Sequence, residues 1–235
     1  LQGYFKNNWF TTAFAKFIAG TLAMFAGLSL GREGPSVQLG ASMGQMVSSR
    51  LAETERHKRI LIASGASAGL SAAFNAPLSG VMFTLEEVFK YFSPLILLTC
   101  MTSAMVADMV ARIMFGSGPV FHFQIVGSIE LSNYWLLIIL GIILGFFGAF
   151  YNWTLLTSQN LMKKIKSPFL RVLLTFLVVG ATGLLFPNII GSGHHLMDSF
   201  SLGMGLTFLC LILIGKYLIS MVSYASGVPG GIFPC

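Results

Sequence analysis

The chain has 235 residues, 55% of them hydrophobic and only 9% charged, with a mean hydropathy of +0.80. Soluble domains carry roughly a quarter charged residues, so this composition excludes a water-soluble globular domain and indicates an integral membrane protein. The net charge of +6 lies largely in two basic clusters between apolar segments, Arg50 with Arg56 to Arg59, and Lys163, Lys164 and Lys166 with Arg171. Such clusters are the usual bias of membrane-flanking loops. They lack the interleaved aromatics of a nucleic-acid face, so no nucleic-acid partner is expected. Cys100, Cys210 and Cys235 are isolated, odd in number and set among apolar residues, which argues against a disulfide framework and a thiolate metal site.

A bilayer core about 30 Å thick needs about 20 apolar residues per straight helix. Taken in chain order, residues 9–30 satisfy this. Residues 35–49, 60–74 and 78–92 fall short, each ended by Gly, Pro or charge. Residues 94–115, 132–158, 169–187 and 202–224 satisfy it again. Apolar runs this long and this often repeated do not resemble a cleavable signal peptide. The chain begins at Leu1 and stops at Cys235 in an apolar, glycine-rich stretch, and is expected to be a piece of a longer protein.

The short, broken segments carry the functional information. In lipid every backbone N–H and C=O must be satisfied, so a broken helix survives only inside protein or beside a water-filled cavity. Paired breaks in two halves of a chain point to a substrate site near the midplane. One break is Gly31-Arg32-Glu33-Gly34-Pro35; the other runs from Ser226 to Pro234 through Gly230 and Gly231. Neither fits a phosphate loop. Pro35 suits a first helical position, and a helix starting there runs through Val37, Leu39 and Met43. Gly40, Ala41 and Gly44 give it a small-residue face for close packing. The N-terminus of that helix carries about half a positive charge and free N–H groups, which make an anion site. In the second break Gly230 and Gly231 have no side chains, so the Ile232 and Phe233 amides can point at a small ion.

Glu33 sits where its carboxylate reaches the same positive helix end. Carboxylate and free anion therefore compete, and protonation removes the competitor, making one residue both gate and proton carrier. The alternative is a Glu33 that pairs with Arg32 or caps the helix, although intramembrane ionisable groups are functional by default. Partial charges at helix ends bind a halide without trapping it, which favours an anion over a cation as the transported ion.

Other polar residues divide into two groups. Glu86 stands four residues before Lys90, the spacing of a surface ion pair, and Asp108 stands four before Arg112 in an apolar helix, so each pair is expected to form. Lys16 and Lys216 lie mid-segment and either raise the potential along an anion path or snorkel to an interface. His194 and His195 follow a Gly-Ser-Gly loop and lack the Cys, Asp or Glu neighbours of a metal site. A rival from another class is an intramembrane hydrolase with Ser64 or Ser67 as nucleophile and one of these histidines as base. No orienting acid is evident for it, and the small residues 63–69 suit close helix packing.

Three motifs then carry a resemblance. Gly31-Arg32-Glu33-Gly34-Pro35 followed by Ser36-Val37-Gln38-Leu39-Gly40 resembles the gating-glutamate signature of the CLC chloride channel and transporter family. Phe74-Asn75-Ala76-Pro77-Leu78-Ser79-Gly80 with Glu86-Glu87 resembles its next characteristic segment. Gly227-Val228-Pro229-Gly230-Gly231-Ile232-Phe233-Pro234 resembles its second-half anion loop. The resemblance extends over essentially the whole chain.

It implies two inverted halves of tilted and broken helices. Residues 1–115 would be the latter part of the first repeat and 130–235 the early part of the second. It further implies a multi-pass homodimer in the plasma or inner membrane, in contact with lipid, with one pathway per subunit and no cofactor beyond the transported chloride and protons. Glu33 would be the gating glutamate and Glu87 the internal proton-transfer site, with Glu86 keeping a surface role. Gly31, Arg32, Gly34, Pro35, Gly230, Gly231, Ile232 and Phe233 would form the anion-binding backbone. The implied function is H+/Cl− exchange, not enzymatic; a passive voltage-gated-type chloride channel and a fluoride-handling member are the alternatives within the family. The family's serine-bearing GSGxP loop is expected before Leu1, and the tyrosine that completes its central site after Cys235.

Overall fold

Prolines and hydroxyls set several of the helix starts. Pro77, Pro94 and Pro168 each occupy the first turn of a helix, where a missing N–H costs nothing. Thr54 and Ser167 cap by accepting from the His57 and Leu170 amides at 3.2 and 3.4 Å, each satisfying one otherwise unpaired donor. The computed structural model describes residues 8–116, 118, 130–186, 189–191, 193 and 205–231. Within these the helices are α1 (Trp9–Phe25), α2 (Glu33–Leu51), α3 (Glu55–Phe74), α4 (Pro77–Phe83), α5 (Pro94–Phe115), α6 (Trp135–Lys163), α7 (Pro168–Leu185) and α8 (Leu206–Ala225). Among the described residues, four helical stretches are long and apolar enough to cross a membrane: Pro94–Phe115, Leu131–Lys163, Pro168–Leu185 and Thr207–Ala225. The chain is an all-α integral membrane protein.

The differences from the sequence-based spans have local causes. The span expected over 9–30 stops at Phe25, because Gly27 takes a left-handed φ of +77° and turns the chain. The expected short segment 60–74 reaches back to the Thr54 cap and is a full 20 residues, since its charged first turn is as helical as the rest. The segment 78–92 resolves into the seven-residue α4 and a π-helical turn over Thr84–Phe89. It ends at Lys90, which adopts a left-handed φ of 59° and sends its N–H back to the Leu85 carbonyl at 2.8 Å. Lys90 caps the turn in a left-handed conformation instead of continuing the helix, and the expected Glu86–Lys90 ion pair does not form.

Two compact units are distinguished. The first holds α1 to α5 with Leu30–Arg32 and Pro229–Gly231; the second holds Ala26–Ser29, α6, α7 and α8. In the first, α2 and α3 cross backbone against backbone. A Cβ on Gly40 would run into the Gly65 carbonyl, one on Gly65 into the Gly40 carbonyl, and one on Gly69 into the Ser36 carbonyl. This is the close packing expected of the small-residue stretches. Beside it Ile60, Val81, Leu85, Ile96, Cys100 and Ala104 form an apolar core, and Ser71 donates to the Ala104 carbonyl at 2.9 Å.

Asp108 and Arg112 pair as expected, at 2.7 Å. Arg112 also donates to the Asn75 carbonyl at 3.0 Å, which ties α5 to the left-handed residue that ends α3.

The α2–α3 crossing gives a direct prediction. Overpacking a pliable core costs about 1–3 kcal/mol; here the obstacle is backbone carbonyl and cannot rotate away. Gly65→Val is expected to abolish monodisperse protein after detergent extraction, measured by size-exclusion chromatography. Gly145→Val on α6, where nothing lies within 4 Å, is expected to leave the profile unchanged.

In the second unit α6 and α8 meet through the Thr154 and Tyr217 hydroxyls, which hydrogen-bond, and through Phe150 stacked on Tyr217 at 6.1 Å. Otherwise α6 buries only Leu155.

Candidate anion site

The first break and the Pro229–Gly231 part of the second lie in the first unit, and the backbone joins them there. The Gly31 amide donates to the Gly231 carbonyl at 3.2 Å, and the Gly231 amide to the Gly31 carbonyl at 2.6 Å, a two-bond antiparallel bridge. Around it the glycines hold space for their neighbours. A Cβ on Gly34 would stand 2.8 Å from the Gly230 carbonyl oxygen, against a backbone that cannot yield. A Cβ on Gly230 would fall on the Leu30 side chain, 2.7 Å from its Cβ. A Cβ on Gly231 would land on the Glu33 carboxyl group, 2.6 Å from Oε2 and closer still to Oε1. The Glu33 carboxylate therefore lies directly over the Gly231 backbone. Leu30, which has no functional signature in the sequence, is the packing partner that makes Gly230 necessary.

Glu33 is the first residue of α2, with Arg32 as its N-cap and no side-chain cap. The helix therefore begins two residues before the position expected from Pro35. The first intrahelical bond runs from the Ser36 amide to the Arg32 carbonyl at 3.1 Å. Every N–H before Ser36 lacks an intrahelical acceptor, so proline is tolerated anywhere in that turn. The helix end thus offers the Glu33 and Gly34 amides and none from Pro35. Among the described residues the ion pairs are Glu55–Lys58 and Asp108–Arg112. Arg32 is exposed and forms no salt bridge with Glu33, while Glu33 is half-buried. The Ile232 and Phe233 amides lie outside the described residues.

On α1, Gly20 packs against Pro35 at 3.7 Å and against the Pro229 carbonyl at 3.9 Å. Lys16 stands one turn earlier on that face, half-buried. Lys216, in the second unit, donates instead to the Gly191 carbonyl. Glu86 and Glu87 are both exposed and line an open cavity of about 670 Å³ with Met82, Leu85, Lys90, Tyr91, Phe92 and Leu97. The two serines of the rival hydrolase reading are inside the helix packing: Ser64 donates to the Ile60 carbonyl at 2.8 Å and Ser67 is fully buried. His194 and His195 lie outside the described residues.

A family model described as voltage gated chloride channel matches residues 1–234. The chain is 34% identical, over 96% of its length, to the H(+)/Cl(−) exchange transporter ClcA of Klebsiella pneumoniae, of which it covers 50%. It is 35% identical, over 99% of its length, to ClcA of Vibrio cholerae, of which it covers 52%. The chain therefore spans about half the length of the curated relatives it matches.

Among solved structures it is similar to a slow cyanobacterial Cl−/H+ antiporter, with a TM-score of 0.87 at 29% identity, covering 99% of this chain and 56% of that one. It is also similar to a CLC-type fluoride/proton antiporter, with a TM-score of 0.78 at 25% identity, covering 92% of this chain and 55% of that one. A half-buried glutamate at a helix start, laid over a second glycine break that the backbone pairs with the first, on a helical fold shared with these antiporters, makes the chain a member of the voltage gated chloride channel (CLC) family.

Proposed function

We propose that the intact protein exchanges chloride for protons across the plasma or inner membrane, as a homodimer with one pathway in each subunit. Residues 1–115 then belong to the latter part of one repeat and 130–235 to the early part of its inverted partner. The observation that carries the reading is the Glu33 carboxylate lying over Gly231 at the start of α2. That location is favourable for any anion, because the first turn of a helix directs its amides outward and carries about half a positive charge. A chloride ion entering the site must displace the carboxylate. Protonating Glu33 discharges it, weakens its hold on the helix end and frees the location. Each swing of the side chain then exchanges a proton for room for chloride. Gly31, Gly34, Gly230 and Gly231 let the backbone close on a small ion, with the Ile232 and Phe233 amides completing the cradle. The Lys16 ammonium adds positive potential on the same side of the fold.

Exchange also needs a separate proton route from the other side of the membrane. Glu87, exposed in an open cavity, supplies one, and similarity to an exchange transporter and to a Cl−/H+ antiporter supports exchange over passive conduction. In the intact protein reconstituted in liposomes, Glu87→Gln is expected to reduce chloride-driven proton uptake to the protein-free background while chloride efflux stays measurable. Glu86→Gln is expected to leave both fluxes near wild type. Equal loss of both fluxes in a folded Glu87→Gln protein argues instead for a structural role.

A further inference from the structure

Residues 163–171 carry four cations, Lys163, Lys164, Lys166 and Arg171, and no acidic residue. They belong to the second unit, where α6 ends at Lys163 and α7 begins at Pro168. Both helices are long and apolar enough to cross a membrane. Only the residues from Lys164 to Ser167 join them, so the two helix ends leave the bilayer on the same side. The cluster therefore stands at the level of the lipid headgroups.

Nothing described in the unit neutralises it. Among the described residues of the second unit the one acidic side chain is Glu130, at the far end of α6. That helix has 29 residues and is about 44 Å long at a rise of about 1.5 Å per residue, well beyond the reach of an ion pair. The described ion pairs, Glu55–Lys58 and Asp108–Arg112, include none of the four cations. The three lysines are exposed.

Arg171 differs from them. It is half-buried, and its backbone is fixed in α7. Its amide donates to the Ser167 carbonyl at 3.2 Å, and its carbonyl accepts from the Thr175 hydroxyl at 3.0 Å. Its Nε is shielded from water and has no hydrogen-bond acceptor among the described residues. Buried donors are nearly always bonded, so this one calls for an acceptor from outside the unit. Nε and a neighbouring Nη form a fork that meets two oxygens of a phosphate.

The residues next to the cations are apolar and exposed: Leu161 in the last turn of α6, Phe169 and Leu170 in the first turn of α7. A soluble anion has no use for such a border. A phospholipid uses both parts, its phosphate against the cations and its acyl chain against the apolar side chains.

We propose that the α6–α7 connection is a binding site for an anionic phospholipid. Arg171 holds the phosphate through Nε, the three lysines select a net negative headgroup over a zwitterionic one, and the flanking apolar residues border the acyl chain. The site stands on the membrane spans and is independent of the exchange reading of Glu33.

The test titrates the intact protein, purified in neutral detergent, with dioctanoyl phosphatidylglycerol, dioctanoyl phosphatidylcholine and inorganic phosphate. Binding is measured by calorimetry against protein-free micelles. Phosphatidylglycerol is expected to bind saturably and about tenfold or more tighter than phosphatidylcholine, with an affinity that falls as salt rises. Inorganic phosphate is expected to give no saturable binding. Lys163→Gln/Lys164→Gln/Lys166→Gln is expected to bring phosphatidylglycerol down to the affinity of phosphatidylcholine. Arg171→Lys keeps the charge and loses the fork, and is expected to weaken both lipids by about threefold or more, since both carry a phosphate. A merely structural Arg171 would change thermal stability and leave lipid affinity as it was. If Arg171→Lys does not fold, the triple lysine variant decides, because all three side chains are exposed. Equal affinity for the two lipids in the wild type, or unchanged phosphatidylglycerol affinity in the triple variant, overturns the site. Inorganic phosphate that binds as tightly as phosphatidylglycerol overturns the lipid as its occupant.

Discussion

Glu33→Gln is expected to uncouple the protein: chloride moves passively, proton transport against a gradient disappears, and chloride movement no longer responds to pH. Glutamine keeps the length and shape of the side chain and removes both its charge and its proton. It therefore imitates the protonated gate at all times. Anion affinity is expected to hold or rise, because the backbone donors of the helix end remain and their charged competitor is gone. If Glu33 were structural, neutralising it would strand an arginine. Arg32, however, is exposed and not paired with Glu33, so the substitution leaves no buried uncompensated charge and the protein is expected to fold normally. Chloride binding by calorimetry, with proton flux on the same purified material, checks both halves. A folded Glu33→Gln protein that still drives protons uphill would falsify the gate.

Gly231→Ala is expected to approach the same state by a different route. Gly231 is not among the left-handed glycines, so its backbone accepts alanine, and the bridge to Gly31 uses only main-chain atoms. The three heavy atoms nearest the added methyl, among the described residues, all belong to the Glu33 carboxyl group. That group is the free end of a flexible side chain and moves, whereas a backbone obstacle would not. The gate is then displaced with its chemistry intact. Passive chloride flux is expected to rise and the protons moved per chloride to fall, though less completely than in Glu33→Gln. Adding Glu33→Gln to Gly231→Ala is expected to bring the phenotype to that of Glu33→Gln and no further, as for two changes acting on one element. Full wild-type coupling in Gly231→Ala contradicts the placement of the carboxylate over Gly231.

The parts of this architecture that were legible in the sequence are those with local causes. Residues 94–115 read as one helix because Pro94 opens a largely apolar run whose two charges, Asp108 and Arg112, stand four apart, and Gly116, at φ +93°, closes it. Asp108 and Arg112 announced their pairing by spacing alone. The glycines of α2 and α3 announced a close crossing because few other roles explain so many small residues on facing helices.

What escaped depends on hydrogen bonding that leaves no compositional trace. The π-helical turn at Thr84–Phe89 has the same residue types as an α-helix, yet it ends in a left-handed Lys90 in place of the α-helical spacing that a Glu86–Lys90 pair needs. The two-residue advance of α2 ahead of Pro35 follows from a first turn whose amides need no acceptor. The joining of Gly31 to Gly231 spans most of the chain, and nothing near either residue encodes it; each break was recognisable, and the backbone bonds between them were not. Lys216 looked free to face an ion path, and its bond to the Gly191 carbonyl depends on a loop distant in sequence.

Coupling is the central claim, and one electrical measurement on the intact protein addresses it. With a fixed chloride gradient across a reconstituted membrane, the reversal potential is recorded at symmetric pH and again with a pH gradient imposed. Exchange through Glu33 and Glu87 predicts a reversal potential displaced from the chloride equilibrium value and shifted further when the proton gradient is applied. A reversal potential that remains at the chloride equilibrium value, whatever the pH on either side, contradicts it.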